Sequence, residues 1–243
     1  IHHAGTAMRF LAAYFAHLDG REVLLTGSKR MQQRPIKILV EALQAIGASI
    51  SYEKEDGFPP IRIHGKKLKG GKVSLPANTS SQYISALLLI GPVLENGIQL
   101  NLTGKITSLP YINMTLALLK NLGIKTKFKD QNIRVKPQQN PIIINQVVES
   151  DWSSASYFFS VVALSDQSEI YLTSYKNDSL QGDRVLRDIY SQLGVVSSIE
   201  EQTLKLKKEA IDLPRVLHCD LTNTPDIAQT IAVSCYGLGI GCK

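Results

Sequence analysis

The sequence predicts an α/β protein assembled from repeated units, and three observations carry that prediction. Four stretches of one kind, GTAMRFLAAYF (5–15), SSQYISALLLI (80–90), SSASYFFSVVA (153–163) and PDIAQTIAVSC (225–235), recur about every 72 to 75 residues. Each is a small or capping pair followed by an apolar helical pattern. Between them runs a second shared block: REVLLTGSKRMQQRPIKILVEALQAIGASI (21–50), IQLNLTGKITSLPYINMTLALLKNLGIKTKF (98–128) and SEIYLTSYKNDSLQGDRVLRDIYSQLGVVSS (168–198). Finally, 243 residues at 44% hydrophobic and 20% charged suffice for a substantial core, in one large domain or two small ones.

Taken in chain order, residues 5–15 read as an amphipathic helix and REVLLT as a strand ending in Leu-Thr. The polar loop 26–35 leads to a helix starting near Pro35, a residue favoured in a first helical turn. Its end is marked by Ile46-Gly47, after which an alternating strand follows. FPPIRIHG (58–65) and LKGGKVSLPA (68–77) read as further strands bridging to the next copy. There ISALLLIGPVL (84–94) is the longest apolar stretch, well short of the roughly 18 to 20 residues of a membrane span, and reads as a buried helix. After the second shared block, VKPQQNPIIINQVVESD (135–151) is a Pro/Gln/Asn-rich turn followed by a strand, where a domain change or hinge is expected. Two further copies complete the chain. The spaced Gly237, Gly239 and Gly241 imitate a nucleotide-binding loop but lack its strand and helix, so they read as a helix end running into a linker.

Composition removes several function classes. There is no charged leader with an apolar core, hence no visible secretory signal, and the chain opens without an initiator methionine. Cys219, Cys235 and Cys242 lack CxxC spacing and suit free thiols in a reducing cytoplasm better than a disulfide framework or zinc site. The net charge of +6 is spread along the chain, which favours a small anionic substrate over nucleic acid. His17, His64 and His218 have no ligand spacing, and the neighbours His2 and His3 point apart on any regular element, so no metal site is expected.

What remains points to anions. A helix N-terminus offers unsatisfied N–H groups and about half a positive charge. Gly5-Thr6, Ser80-Ser81 and Ser153-Ser154 all fall at predicted helix starts, and a doubled hydroxyl exceeds what capping needs. In TGSKRMQQRP, Lys29, Arg30 and Arg34 crowd a loop at a strand end, where guanidinium groups can grip phosphate or carboxylate. Asp226 begins the fourth helix and Asp151 precedes the third. Both read as caps, and Asp226 also as an acceptor for a sugar or cyclitol hydroxyl and a possible base.

In this order AGTAMR (4–9), TGSKRMQQRPI (26–36), SSQYISALL (80–88), SLPYINMT (108–115), SDWSSASYF (150–158), NDSLQGD (177–183) and TPDIAQT (224–230) resemble the 5-enolpyruvylshikimate-3-phosphate synthase family over essentially the whole chain. The resemblance implies two domains of repeated βαβαββ units in the enolpyruvyl transferase fold, helices inside and sheets outside, joined at a hinge. Residues 1–146 would be two of the three repeat units of the shikimate 3-phosphate-binding upper domain, and 147–243 part of the lower domain. It implies transfer of the enolpyruvyl group of phosphoenolpyruvate to the 5-hydroxyl of shikimate 3-phosphate, with release of phosphate. A cytoplasmic monomer is implied, without metal or organic cofactor, nucleic acid or membrane.

Position by position, the resemblance assigns Ser80, Ser81 and Ser108 to the phosphate of shikimate 3-phosphate and Tyr111 to its ring. Gln82 reaches both substrates. Gly5 and Arg30 sit at phosphoenolpyruvate, His3 contacts it in place of the family's usual Asn, and Thr6, Arg9 and Arg34 shape the surrounding turn. Asp226 binds the shikimate hydroxyls and is the candidate catalytic base. Phe10 stands where a Pro is frequent and Leu109 where a Lys or Arg is common. The family's Lys-Ser segment would precede Ile1 and its Lys-Glu proton-transfer pair would follow Lys243, so the chain is expected to be an internal fragment, inactive alone. The alternatives are the related transferase acting on UDP-N-acetylglucosamine, and a catalytically silent anion-binding module.

Overall fold

The computed structural model describes residues 1–106, 109–138, 145 and 147–243. The chain divides into two compact units, Ile1–Ile144 and Asn145–Lys243. The first opens with helix α1 (Gly5–His17), strand β1 (Glu22–Leu25), a 3-10 turn at Met31–Gln33, helix α2 (Lys37–Ala45) and strands β2 (Ser49–Tyr52) and β3 (Ile61–His64). It continues with β4 (Gly71–Pro76), α3 (Ser81–Ile90), β5 (Ile98–Thr103), α4 (Leu109–Asn121), β6 (Thr126–Lys129) and β7 (Asn132–Val135). The second unit contains α5 (Trp152–Leu164), β8 (Glu169–Thr173), α6 (Leu186–Ser191), β9 (Val195–Glu200), β10 (Thr203–Lys208), β11 (Val216–Leu217), α7 (Ala228–Gly237) and β12 (Gly241–Cys242).

One wiring scheme recurs. In the orders β1-β3-β2, β5-β7-β6 and β8-β10-β9, the last strand of each copy enters the middle, antiparallel to both neighbours. β4 lies parallel to β5 across α3, and β11 parallel to β12 across α7. Parallel neighbours need a crossover connection, and here the apolar helix is that connection.

Side-chain alternation explains the layering. In β5, Ile98, Leu100 and Leu102 face inward while Gln99, Asn101 and Thr103 face out, the pattern of a sheet wet on one face. α3 is apolar on nearly every side, and Tyr83 through Leu88 and Ile90 are buried, as expected of a helix surrounded by other elements. Its Ser85 shares a buried hydrogen bond with Thr115 of α4 at 2.8 Å. In the second unit Tyr190 meets Ser234 at 2.7 Å, and Ser234 donates to Ser160 at 2.8 Å. Ser160 and Ser234 thus let α5 and α7 approach closely, and the hydroxyls of Ser160, Tyr190 and Ser234 all find partners within the core.

The structure also departs from the sequence expectations. The helix expected near Pro35 starts at Lys37, because Arg34, held before a proline, is extended with φ −94° and ψ 122°. In the third copy α6 is short and preceded by a 3-10 turn at Gly182–Val185. The glycine series does not run into a linker: α7 ends at Gly237 and the chain returns as β12. The strand expected around 141–146 lies mainly outside the described residues. Among the described residues no helix is long and apolar enough to cross a membrane.

His17, at the end of α1, is half-buried, and burial holds its imidazole below the ordinary 6.5, only partly offset by the carbonyl oxygens of Ala13 and Tyr14. The unfolded chain therefore binds the proton more readily, so this contribution to stability is present above pH 6.5 and is lost as pH falls below it. Urea midpoints measured from pH 7 down to pH 5 should fall, and His17→Gln should flatten that dependence. Equal slopes in both proteins would assign the loss to other groups.

Candidate substrate-binding site

The first unit brings the starts of α1 and α3 together with one basic loop. Residues 1–4 run beside the loop after β1: the Ile1 amino group donates to the Thr26 carbonyl at 2.9 Å and the Ser28 amide to the His2 carbonyl at 3.0 Å. This fixes exposed His3, whose Nδ1 shares a hydrogen bond with Ser28 Oγ at 2.9 Å. Gly27 is required by the close approach, since a Cβ there would stand 2.2 Å from the Ile1 carbonyl oxygen.

Gly5 begins α1 beneath the Arg34 side chain. A Cβ at Gly5 would lie 2.3 Å from Arg34 Nη1 and 2.7 Å from Cζ. Glycine thus lets a guanidinium lie against the first turn of the helix. One turn on, Arg9 donates to Gln82 Oε1 of α3 and sits over the Tyr83 ring, 5.3 Å from its centroid. The Tyr83 hydroxyl donates to the Pro35 carbonyl at 2.6 Å. His3, Gly5, Arg9, Arg34 and Gln82 are therefore linked through Ser28, Tyr83 and Pro35.

Ser80 and Ser81 occupy the start of α3, where Ser80 makes no side-chain capping bond. Thr6 is exposed in the first turn of α1, and Arg30 is exposed at the head of the 3-10 turn. Tyr111 is half-buried in the first turn of α4, with its carbonyl accepting from Thr115 at 3.0 Å. Ser108 lies outside the described residues. Leu109, at a position of expected charge, is partly exposed at the N-terminus of α4. Asp226 belongs to the second unit, exposed in the 3-10 turn Pro225–Ile227 that leads into α7.

Electrostatics distinguish this corner. α1, α2, α3 and α4 have no acidic residue in their first turns, whereas anions are favoured there and cations are not. Among the described residues Arg9, Lys29, Arg30 and Arg34 have no carboxylate within ion-pair distance. Arg34 is even pressed against the positive end of α1. Arg9 and Arg34, unneutralised at the starts of α1 and α3, suit phosphate and carboxylate ligands.

The third helix start does not share this property. Ser153 Oγ donates to Asp183 and Ser154 Oγ to Asp151 at 2.7 Å, while the Ser153 amide donates to Asp151 Oδ1 at 2.9 Å. Asp151 is the cap, and the hydroxyls serve the protein itself. Sequence pattern does not mark Tyr83 as a functional residue. Its place beside SSQ was the available signal, but only the folded chain reveals its bond to Pro35.

The family model for EPSP synthase (3-phosphoshikimate 1-carboxyvinyltransferase) matches residues 1–237. A 3-phosphoshikimate 1-carboxyvinyltransferase of Bacteroides fragilis strain ATCC 25285 is 49% identical over 238 residues, covering 98% of this chain and 57% of the relative. Those of Histophilus somni strain 2336 and Haemophilus ducreyi are 38% and 39% identical, each covering 95% of this chain and 53% of the relative. The chain thus spans a little over half the length of these relatives. The solved EPSP synthase of Acinetobacter baumannii shares the fold, with a TM-score of 0.65 at 21% identity over 95% of this chain and 52% of that one. With its motifs, its mixed α/β units and a family match over residues 1–237, the chain belongs to the EPSP synthase family.

Proposed function

We propose that the chain carries binding machinery for transfer of the enolpyruvyl group from phosphoenolpyruvate to the 5-hydroxyl of shikimate 3-phosphate. The carrying observation is the set of unneutralised cations at helix starts that lack first-turn acids. Both substrates present a phosphate and a carboxylate, so each has the charge this corner lacks. On this reading residues 1–146 supply two repeat units of the shikimate 3-phosphate-binding domain and 147–243 part of the second domain, in a cytoplasmic monomer.

Ser80 and Ser81, with Ser108, hold the shikimate phosphate through hydroxyls and the exposed amides of α3, while Tyr111 packs on the ring. Gly5, Arg30 and His3 engage phosphoenolpyruvate, with Thr6, Arg9 and Arg34 shaping the turn. Gln82, already tied to Arg9, spans both ligands. Asp226 orients the shikimate hydroxyls and accepts the 5-hydroxyl proton as that oxygen adds to the phosphate-bearing carbon of phosphoenolpyruvate, while the methylene carbon takes up a proton and becomes a methyl group. Loss of phosphate from the tetrahedral adduct, together with one proton of that methyl group, then restores the double bond. Positioned cations stabilise the charge that moves between these steps without reorganising.

Calorimetry with shikimate 3-phosphate on the 243-residue chain tests the assignment. Ser80→Ala should weaken binding roughly ten-fold or more, since a hydrogen bond to a charged group is worth about 1.5–3 kcal/mol. No binding by the unsubstituted chain, or unchanged affinity in both Ser80→Ala and Arg30→Ala, would sink it.

A further inference from the structure

The sheets that share one wiring scheme differ in the charge of their outer faces. In β1-β3-β2, Arg62 is neutralised across the strands, its guanidinium donating to Glu22 at 2.6 Å and to Glu53 at 2.7 Å. In β8-β10-β9, Lys205 pairs with Glu169 at 3.1 Å, and Lys207 stands opposite Glu169 in register. The sheet β4-β5-β7-β6 carries no acidic residue on any of its strands.

Its outward side chains form rows. Lys72 pairs with Gln99, Gln99 with Arg134 and Arg134 with Lys127, so these lie side by side on one face, and the next row is Ser74, Asn101, Asn132 and Lys129. On the other side the ladder runs one pair further, the Lys136 amide donating to the Lys125 carbonyl at 2.9 Å, which sets these two lysines opposite each other on the same face. Like charges directly opposite are destabilising, and the hairpin of β6 and β7 has two such pairs in succession, all four side chains being exposed. Among the described residues none of these cations has a carboxylate within ion-pair distance, and the remaining residues include no Asp or Glu. Covering the face with polypeptide that brings no carboxylate would be costly, since it would desolvate unpaired charges. A cleft of about 240 Å³ opens among Gln99, Lys127, Lys129, Asp130, Asn132 and Arg134. There three cations oppose the one carboxylate of Asp130, and the amides of Gln99 and Asn132 add neutral donors.

We propose that this face binds a chain of phosphates, a triphosphate-class anion either free or carried by a nucleoside. Spacing selects the length of the ligand: neighbouring cations stand about 5 Å apart across the strands and about 7 Å apart along them. A monophosphate meets one pair, whereas a chain spans two rows. Recognition stops at the phosphates, because the only aromatic residue on these strands, Phe128, packs against the core and leaves no ring on which a base could stack. The site lies on the outward side of the sheet, away from buried α3, and does not depend on the substrate reading above.

The test titrates sodium tripolyphosphate into the 243-residue protein by calorimetry in magnesium-free buffer and maps lysine acetylation by mass spectrometry with and without it. Binding is expected at about 150 mM salt and should weaken steeply as salt rises. Acetylation of Lys127 and Lys129 should slow about five-fold or more, and that of Lys207, on a neutralised sheet, less than about two-fold. The double variant Lys127→Ser with Arg134→Ser relieves a like-charge pair, so its urea midpoint should hold or rise, while affinity falls about ten-fold or more. Adenosine triphosphate should bind within about five-fold of tripolyphosphate, the base adding nothing. The proposal is overturned by no binding at that salt, by protection of Lys29 instead of Lys127 and Lys129, or by full affinity in the double variant. Adenosine triphosphate bound more than about five-fold tighter than tripolyphosphate, or duplex DNA bound more tightly than both, would overturn it as well.

Discussion

Arg34→Ala is expected to move ligand affinity and ligand-free stability differently. The guanidinium lies where a Cβ on Gly5 would stand, against the first turn of α1, a place that favours anions over cations by about 0.3–1 kcal/mol. Removing it should leave the ligand-free protein as stable or slightly more so, allowing for lost packing of the arginine stem. Affinity for phosphoenolpyruvate, measured with shikimate 3-phosphate present, should fall about 10- to 100-fold, because the turn proposed to engage the anion loses the guanidinium that shapes it and a neighbouring positive charge. Gly5→Ala should weaken binding less, displacing the guanidinium without removing its charge. Urea unfolding and calorimetry on the same samples decide the matter. A loss of more than about 2 kcal/mol of stability with unchanged affinity would make Arg34 a structural residue.

That contact illustrates what could be read in advance. Gly5 and Arg34 could each be singled out from residue type and position, because the 3.6-residue apolar period locates a helix start and clustered arginines mark the loop. Their meeting across the sequence is set by how α1, α3 and residues 26–36 pack. Local pattern carries no such information, and the same holds for Tyr83 and Pro35. The converse failure is Ser153-Ser154, whose hydroxyls matched those of Ser80-Ser81 in pattern while Asp151 and Asp183 decide their fate. A hydroxyl pair at a helix start is open to ligand only when no nearby carboxylate takes it. The glycine series likewise revealed a helix end, but not the strand partner at Val216–Leu217 that catches the returning chain.

The largest stability effect is expected from Phe159→Ala. Phe159 is fully buried on the inner face of α5, with its ring 5.3 Å from that of Tyr190 and tilted 49° to it. Deleting a buried phenyl group removes its transfer free energy and leaves a cavity, at about 3–5 kcal/mol. Against a total of about 5–15 kcal/mol for a domain, this is a large fraction. Trp152, the only tryptophan, reports the event: it is buried in this core, edge-on to Tyr175 at 5.0 Å, with Nε1 donating to Glu149 at 3.0 Å. The urea midpoint followed by its emission should drop by roughly 1–3 M at a typical slope for a small domain. The Tyr190 phenol supplies an independent reading, since burial now pushes it up to about 12. With the cavity beside it hydrated, its titration, followed by ultraviolet difference absorbance, should move back toward the ordinary 10. A midpoint shift below about 0.5 M would show that α5 can close the gap by sliding on α7. The hydroxyl contacts joining Ser160, Ser234 and Tyr190 oppose that motion, because any slide that fills the void must first break them.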